Sequence, residues 1–259
     1  MSAMIYFTGS GITPRTQAAL VAHPLIGVLT QPRTLTKAKV APFRIWAADN
    51  GCFSQGHVFS LEDYLRWLVK FSDISDKCAF ATAPDVVGDA DATWERSEPA
   101  FERIRDIGYK VALVAQNGFE DSDPDWEMFD ALFLGGDTDW KLSNAARATV
   151  AEANARGKWT HMGRVNSMRR FQIAMDFGCD SVDGNFLMFG PDKNLAQLIS
   201  WVDSAYYSPT LFGKKPRQTG REHEKHEFRC GCQLKPFYHK PTLECVPGKP
   251  ADGKGEKGG

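Results

Sequence analysis

Eight short apolar runs, most of them separated by amphipathic segments, predict a (β/α)8 barrel in this chain of 259 residues. Its 42% hydrophobic and 12% aromatic content is enough to bury one substantial core, and a single α/β barrel of this size is ordinary. Strands spaced by helices pair in parallel through right-handed crossovers, so eight of them close a ring.

In chain order the expected strands are MIYFTG (4–9), IGVLT (26–30), RIWAAD (44–49), AFATAPDV (79–86), KVALVAQ (110–116), ALFLGG (131–136), KWTHMG (158–163) and DSVDGNF (180–186). The stretch from Gln31 to Phe43 holds two prolines and three lysines or arginines, too polar for a good helix, so the barrel is read as partly irregular, lacking one helix there. Ser60 caps a helix with Leu61, Tyr64, Leu65 and Leu68 on one face, and Asp63 is placed for a capping box. The segment from Asp91 to Ile107 puts Trp94, Phe101 and Ile104 on one stripe, with Pro99 expected to bend it. Ser143 opens a helix that stops at Gly157, and Ser167 opens one that stops at Gly178. Pro191 suits the first turn of a last helix carrying Leu195, Leu198, Ile199 and Val202.

Charge divides the chain. From Leu211 to Gly259 there are 11 Lys and Arg against 6 Asp and Glu, net +5, leaving 20 against 26, net −6, for the first 210 residues. A basic appendage on an acidic body suits a polyanion such as nucleic acid, although charged tails are often merely solvated. The start, MSAMIYFTGSG, lacks a basic segment followed by a long apolar run, and no stretch approaches the roughly 20 apolar residues of a membrane span. The expectation is therefore a cytoplasmic protein with no membrane partner. On that expectation the six cysteines, at 52, 78, 179, 230, 232 and 245, are thiols or metal ligands and not a disulfide framework.

In a barrel of this class chemistry sits where strands end and loops begin. The residues there are Gly9, Asp49, Asp85, Gln116, Gly135 with Gly136, His161 to Arg164, and Asp183. Three carboxylates, an amide and a diglycine suit recognition of a purine-like base. A carboxylate accepts from a ring N–H and an exocyclic amine, an amide serves O6 or N7, and glycine exposes a backbone N–H. Each residue also has a plainer use. A strand-end Asp commonly caps the next helix, as Asp89 and Asp91 are expected to do, Gln116 could be a solvated loop amide, Gly135 and Gly136 a tight turn, and His161 a core histidine.

These segments resemble the tRNA-guanine transglycosylase superfamily. ADNGCF (48–53) is similar to its TDSGGF motif, APDVV (83–87) falls where its base-binding aspartate lies, and VAQNG (114–118) is similar to VQGG. LGG (134–136), HMGR (161–164) and GCDSVD (178–183) follow in family order, resembling GGL, LMGVG and GVDMFD. The resemblance implies that Asp183 is a nucleophile attacking the sugar C1′ and that Asp49 is the general acid and base. It implies that Asp85, Gln116, Gly135 and Gly136, with His161, hold the base. Exchange of this kind needs no redox or nucleotide cofactor. After Asp183 the chain reads GNFLMFG where the tRNA enzymes continue CVMPTR-like, and Asn50-Gly51-Cys52 replaces their Ser-Gly-Gly. With the shorter length, which shows no room for an appended RNA-binding domain, these departures favour the branch that replaces guanine in DNA by a 7-deazaguanine such as preQ0. tRNA is the alternative substrate, and a non-catalytic nucleic-acid-binding barrel the alternative class. A homodimer is compatible with either.

The remaining expectation concerns the C-terminal segment. Residues 1–210 form the barrel, 211–246 a basic zinc-binding segment and 247–259 a disordered tail. Cys230, Cys232, His239 and Cys245 give four ligands suited to a tetrahedral, structural zinc, with His223 and His226 competing for the nitrogen position. The family's own zinc site begins with the same Cys-x-Cys, although here the third cysteine is distant and no histidine follows it.

Overall fold

A computed structural model describes residues 4–9, 11–55 and 59–207 of the chain. The expected segment 211–246 and tail 247–259 lie outside the described residues. Eight parallel strands form a closed ring in chain order. They are β1 (Ile5–Thr8), β2 (Ile26–Thr30), β3 (Trp46–Ala48), β4 (Cys78–Thr82), β5 (Val111–Ala115), β6 (Ala131–Leu134), β7 (Trp159–Met162) and β8 (Ser181–Gly184). The ring closes where β8 pairs with β1, Asp183 opposite Phe7.

Strand residues alternate between the barrel axis and the helical layer. Phe7, Leu29, Ala47, Phe80, Ala112 and Ala131 face the axis and fill the lumen. Gly27 makes room for them, since a Cβ there would lie 2.6 Å from the Phe7 ring and 2.8 Å from the Ile45 carbonyl oxygen. The opposite parity, including Tyr6, Val28, Trp46, Leu113, Leu132 and Val182, is buried beneath the helices. Both faces being covered is why the strands read as continuous apolar runs.

The helices are α1 (Pro14–Ala22), α2 (Lys37–Val40), α3 (Cys52–Gln55), α4 (Leu61–Lys70), α5 (Ala90–Asp106), α6 (Thr138–Lys141), α7 (Asn144–Ala155), α8 (Met168–Phe177) and α9 (Pro191–Tyr207). Ser60, Ser143 and Ser167 cap α4, α7 and α8 as expected, each hydroxyl accepting from the third helical N–H. Asp89 does the same for α5, which continues through Pro99. Gly178 ends α8 in the left-handed conformation, φ 85°.

Three local expectations need correcting. Asp63 is taken by an ion pair with Arg66, and the reciprocal capping box forms instead between Thr13 and Thr16 at α1. The polar stretch after β2 retains one helical turn, α2. A second helix is missing where none was expected to be. Between β5 and β6 the chain makes only two 3-10 turns, Phe119–Asp121 and Trp126–Met128, interrupted by Pro124. No helix among the described residues is long and apolar enough to cross a membrane.

Candidate active site

A cavity of about 290 Å³ opens at the C-terminal mouth of the barrel. That is near the lower end of the roughly 300–1,000 Å³ of small-molecule pockets, a size for one small planar ligand. Strand parity selects its walls. Asp49 continues the axial row of Ala47, Gln116 that of Ala112, Gly135 that of Ala131, and Asp183 that of Ser181. All four line the cavity, together with Asp85, Asn50 and Arg164. Gly136 falls on the other parity and is not part of the lining.

Asp49 accepts a long hydrogen bond from the Gly51 backbone N–H at 3.3 Å. Burial pushes its pKa up to about 7, Gly51 opposes the rise, and the charges of Asp183 and Asp85 reinforce it. Asp49 thus exchanges a proton near neutrality, as an acid and base working at one site must.

Asp85 stands between two amides. Its Oδ1 accepts from Asn50 Nδ2 at 3.0 Å and its Oδ2 from Gln116 Nε2 at 2.7 Å. Desolvation raises its pKa while those two donors and Arg96 hold the rise back. The loop carrying it is clamped by α5. Ser97 donates to the Pro84 carbonyl, Arg96 to the Asp85 carbonyl, and Thr93 to that of Val86. Asn50 is fixed in turn by the Thr82 hydroxyl, the Ala83 carbonyl and the Cys52 N–H. Gln116 spends its Oε1 on the Gly88 N–H, so it orients Asp85 and bridges two loops.

The diglycine does not offer its N–H groups to the cavity. Both donate to the Ala115 carbonyl, and both carbonyls accept from Arg164 Nη2, at 2.8 and 2.5 Å. Glycine is needed there for space, because a Cβ on Gly135 would collide with Val114 and one on Gly136 would stand 2.5 Å from the Trp140 ring. Arg164 itself holds a left-handed backbone, φ 60°, and lies 5.4 Å from the Phe53 ring centroid.

Asp183 is nearly buried, and its Oδ1 accepts from His161 Nε2 at 3.0 Å and from the Arg164 N–H at 3.3 Å. His161 is wholly buried and stands behind Asp183, not in the cavity wall. Its pKa is lowered by burial, against the pull of Asp183, so the ring is neutral. Lys141, also buried, donates to the Gly163 carbonyl at 2.9 Å, and burial followed by the Arg164 charge lowers its pKa to about 7.

The sequence reading thus located Asp49, Asp85, Gln116, Gly135 and Asp183 on one cavity. It did not single out Asn50, which holds Asp85, or Lys141, buried behind Gly163. Asn50 stood out only as a departure from a motif, and nothing in TDWK distinguishes Lys141 from a solvated cation. Among the described residues no group of three or more His, Cys, Asp or Glu could hold a metal ion, and Cys52, Cys78 and Cys179 are buried free thiols. Cys230, Cys232, His239 and Cys245 lie outside the described residues. No protein-family model matches the chain, and no curated protein matches it.

Proposed function

We propose that this chain is a transglycosylase that exchanges guanine in DNA for a 7-deazaguanine base by double displacement. The observation that carries the reading is the pair of axial carboxylates on one cavity, Asp49 with its pKa near 7 and Asp183 held by two N–H donors. Asp183 attacks the sugar C1′ as the C1′–N9 bond breaks, and Asp49 gives its proton to the leaving guanine. The incoming base then loses its N9 proton to Asp49 and attacks C1′, releasing the Asp183 carboxylate. Each half-reaction returns the other's proton, and the covalent intermediate divides one difficult displacement into two easier ones. Asp85, fixed by Asn50 and Gln116, meets the base edge.

DNA is preferred to tRNA on the GNFLMFG continuation after Asp183. Unstacking a base from a duplex costs a few kcal/mol, so single-stranded DNA should be the better substrate. The same proposal includes a structural zinc on Cys230, Cys232, His239 and Cys245, with no step routed through it. Elemental analysis of the full chain should give one zinc per protein, lost in Cys230→Ser with Cys232→Ser; equal metal in both would remove the ligands from the proposal.

The test of function is labelled guanine offered with single-stranded DNA, duplex DNA and tRNA. Label entering DNA and not tRNA is expected; label entering tRNA alone reassigns the substrate. No label in any, with nucleic-acid binding intact and dependent on residues 211–259, leaves the barrel non-catalytic.

A further inference from the structure

The two oxygens of Asp183 are treated unequally. Oδ1 takes both hydrogen bonds, and among the described residues Oδ2 takes none. Each donor is held from behind by groups to which the reaction outlined above gives no role.

Behind the first donor, His161 Nδ1 lies 2.8 Å from Ser181 Oγ, and Ser181 Oγ lies 2.8 Å from Trp159 Nε1. An indole N–H can only donate. It occupies one lone pair of the Ser181 hydroxyl and leaves the hydroxyl proton free to point at His161 Nδ1. The Asp183 carboxylate can only accept, so the single proton of the neutral ring sits on Nε2, facing Asp183, and Nδ1 is the acceptor from Ser181. The ring is wedged among Phe7, Phe80 and Phe133, at centroid distances of 5.9, 5.2 and 4.4 Å. It has no room to swing away.

Behind the second donor, one peptide unit joins Lys141 to Asp183. The Gly163 carbonyl accepts from Lys141 Nζ at 2.9 Å, and the N–H across the same peptide bond, that of Arg164, points to Asp183 Oδ1. Gly163 permits this approach, because a Cβ there would stand 2.8 Å from the Phe133 ring and 3.3 Å from Oδ1 itself. The left-handed turn at Arg164, fastened through its guanidinium to the carbonyls of Gly135 and Gly136, keeps the peptide in place.

We propose that His161 and Lys141 are positioning residues that lock Asp183 Oδ1, through the Trp159–Ser181 chain and the Gly163–Arg164 peptide, and so select Oδ2 as the oxygen that bonds to C1′. The bond to C1′ rests on the function proposed above; the proton placement on His161 does not. Fixed donors spare the carboxylate a reorientation at the moment of attack, the general advantage of a preorganised site.

The experiment has two arms on the full chain. Nitrogen-15 NMR of histidine-labelled protein, assigned through His161→Gln, should show His161 protonated at Nε2 and bare at Nδ1, and Ser181→Ala should shift the Nδ1 resonance toward that of a ring nitrogen with no hydrogen bond while the proton stays on Nε2. A proton on Nδ1 in the unsubstituted protein overturns the proposal whether or not the protein is a transglycosylase. The second arm measures the rate of covalent capture of guanine-containing single-stranded DNA. His161→Phe keeps a ring in the aromatic nest but removes the donor. It should slow capture about ten- to hundredfold, the loss of one hydrogen bond to a charged group, with DNA affinity unchanged. His161→Gln should recover most of the rate, and Lys141→Met should slow it as His161→Phe does. Undiminished capture in His161→Phe refutes the positioning role; if it fails to fold, Lys141→Met and the recovery in His161→Gln decide. No capture by the unsubstituted protein would refute the function and with it the choice of Oδ2, leaving the tautomer to the first arm.

Discussion

In the unfolded chain Asp49 ionises at about 4, the usual carboxylate value, whereas in the barrel its pKa stands at about 7. Between those values the folded protein keeps a proton that the unfolded chain releases, so the contribution of this group to stability falls as pH rises and is fully lost above about 7. Asp49→Asn should accordingly abolish exchange yet raise thermal stability, with little difference near pH 4 and a gain on the order of a few kcal/mol at pH 8. Unfolding curves of the two proteins at both pH values check this; a gain independent of pH contradicts it. In the proposed mechanism the same proton sets the rate: capture of DNA needs Asp49 protonated, so its rate should decline as pH rises through about 7. At this scale the strand-end acids were legible because a carboxylate that closes an apolar run is conspicuous. What the side chains touch was not. Gln116 and His161 spend their polar atoms on Asp85 and Asp183, a choice made by residues distant in sequence.

Among the elements, the strands and capped helices could be read because alternation, Ser caps and a terminal Gly are local signals. Ser143→Ala should cost about 1 kcal/mol, the usual value of such a cap, measured by denaturant titration. The connection after β5 could not be read so directly. Its Phe119, Trp126 and Phe129 are buried apolar residues like those of a helix, but Pro124 and three aspartates from 121 to 125 break any continuous turn. Likewise α1 buries only Thr16 and Leu20, too little to mark a face. Gly27 carries a sharper prediction. Since a Cβ would enter the Phe7 ring, Gly27→Ala should destabilise the barrel by about 1–3 kcal/mol through overpacking of the lumen, whereas Gly157→Ala meets no neighbour and pays only for its backbone conformation.

For the whole molecule, closure between β8 and β1 makes every strand end face a common mouth, which is how acids 134 residues apart in sequence, at positions 49 and 183, come to line one cavity. Eight apolar runs sufficed to foresee that ring, whereas the expected zinc ligands lie outside the described residues. Because the ring closes without them, residues 211–259 should be dispensable for folding, and a chain ending at 210 should keep its cooperative unfolding while binding DNA more weakly. The most direct test of the paired-carboxylate account is intact-mass analysis of the protein quenched after incubation with guanine-containing single-stranded DNA. The account predicts an adduct equal to the strand less one guanine, mapped to Asp183 and absent in Asp183→Asn. An adduct formed equally well by Asp183→Asn, or none at all together with no exchange of labelled guanine, would contradict it.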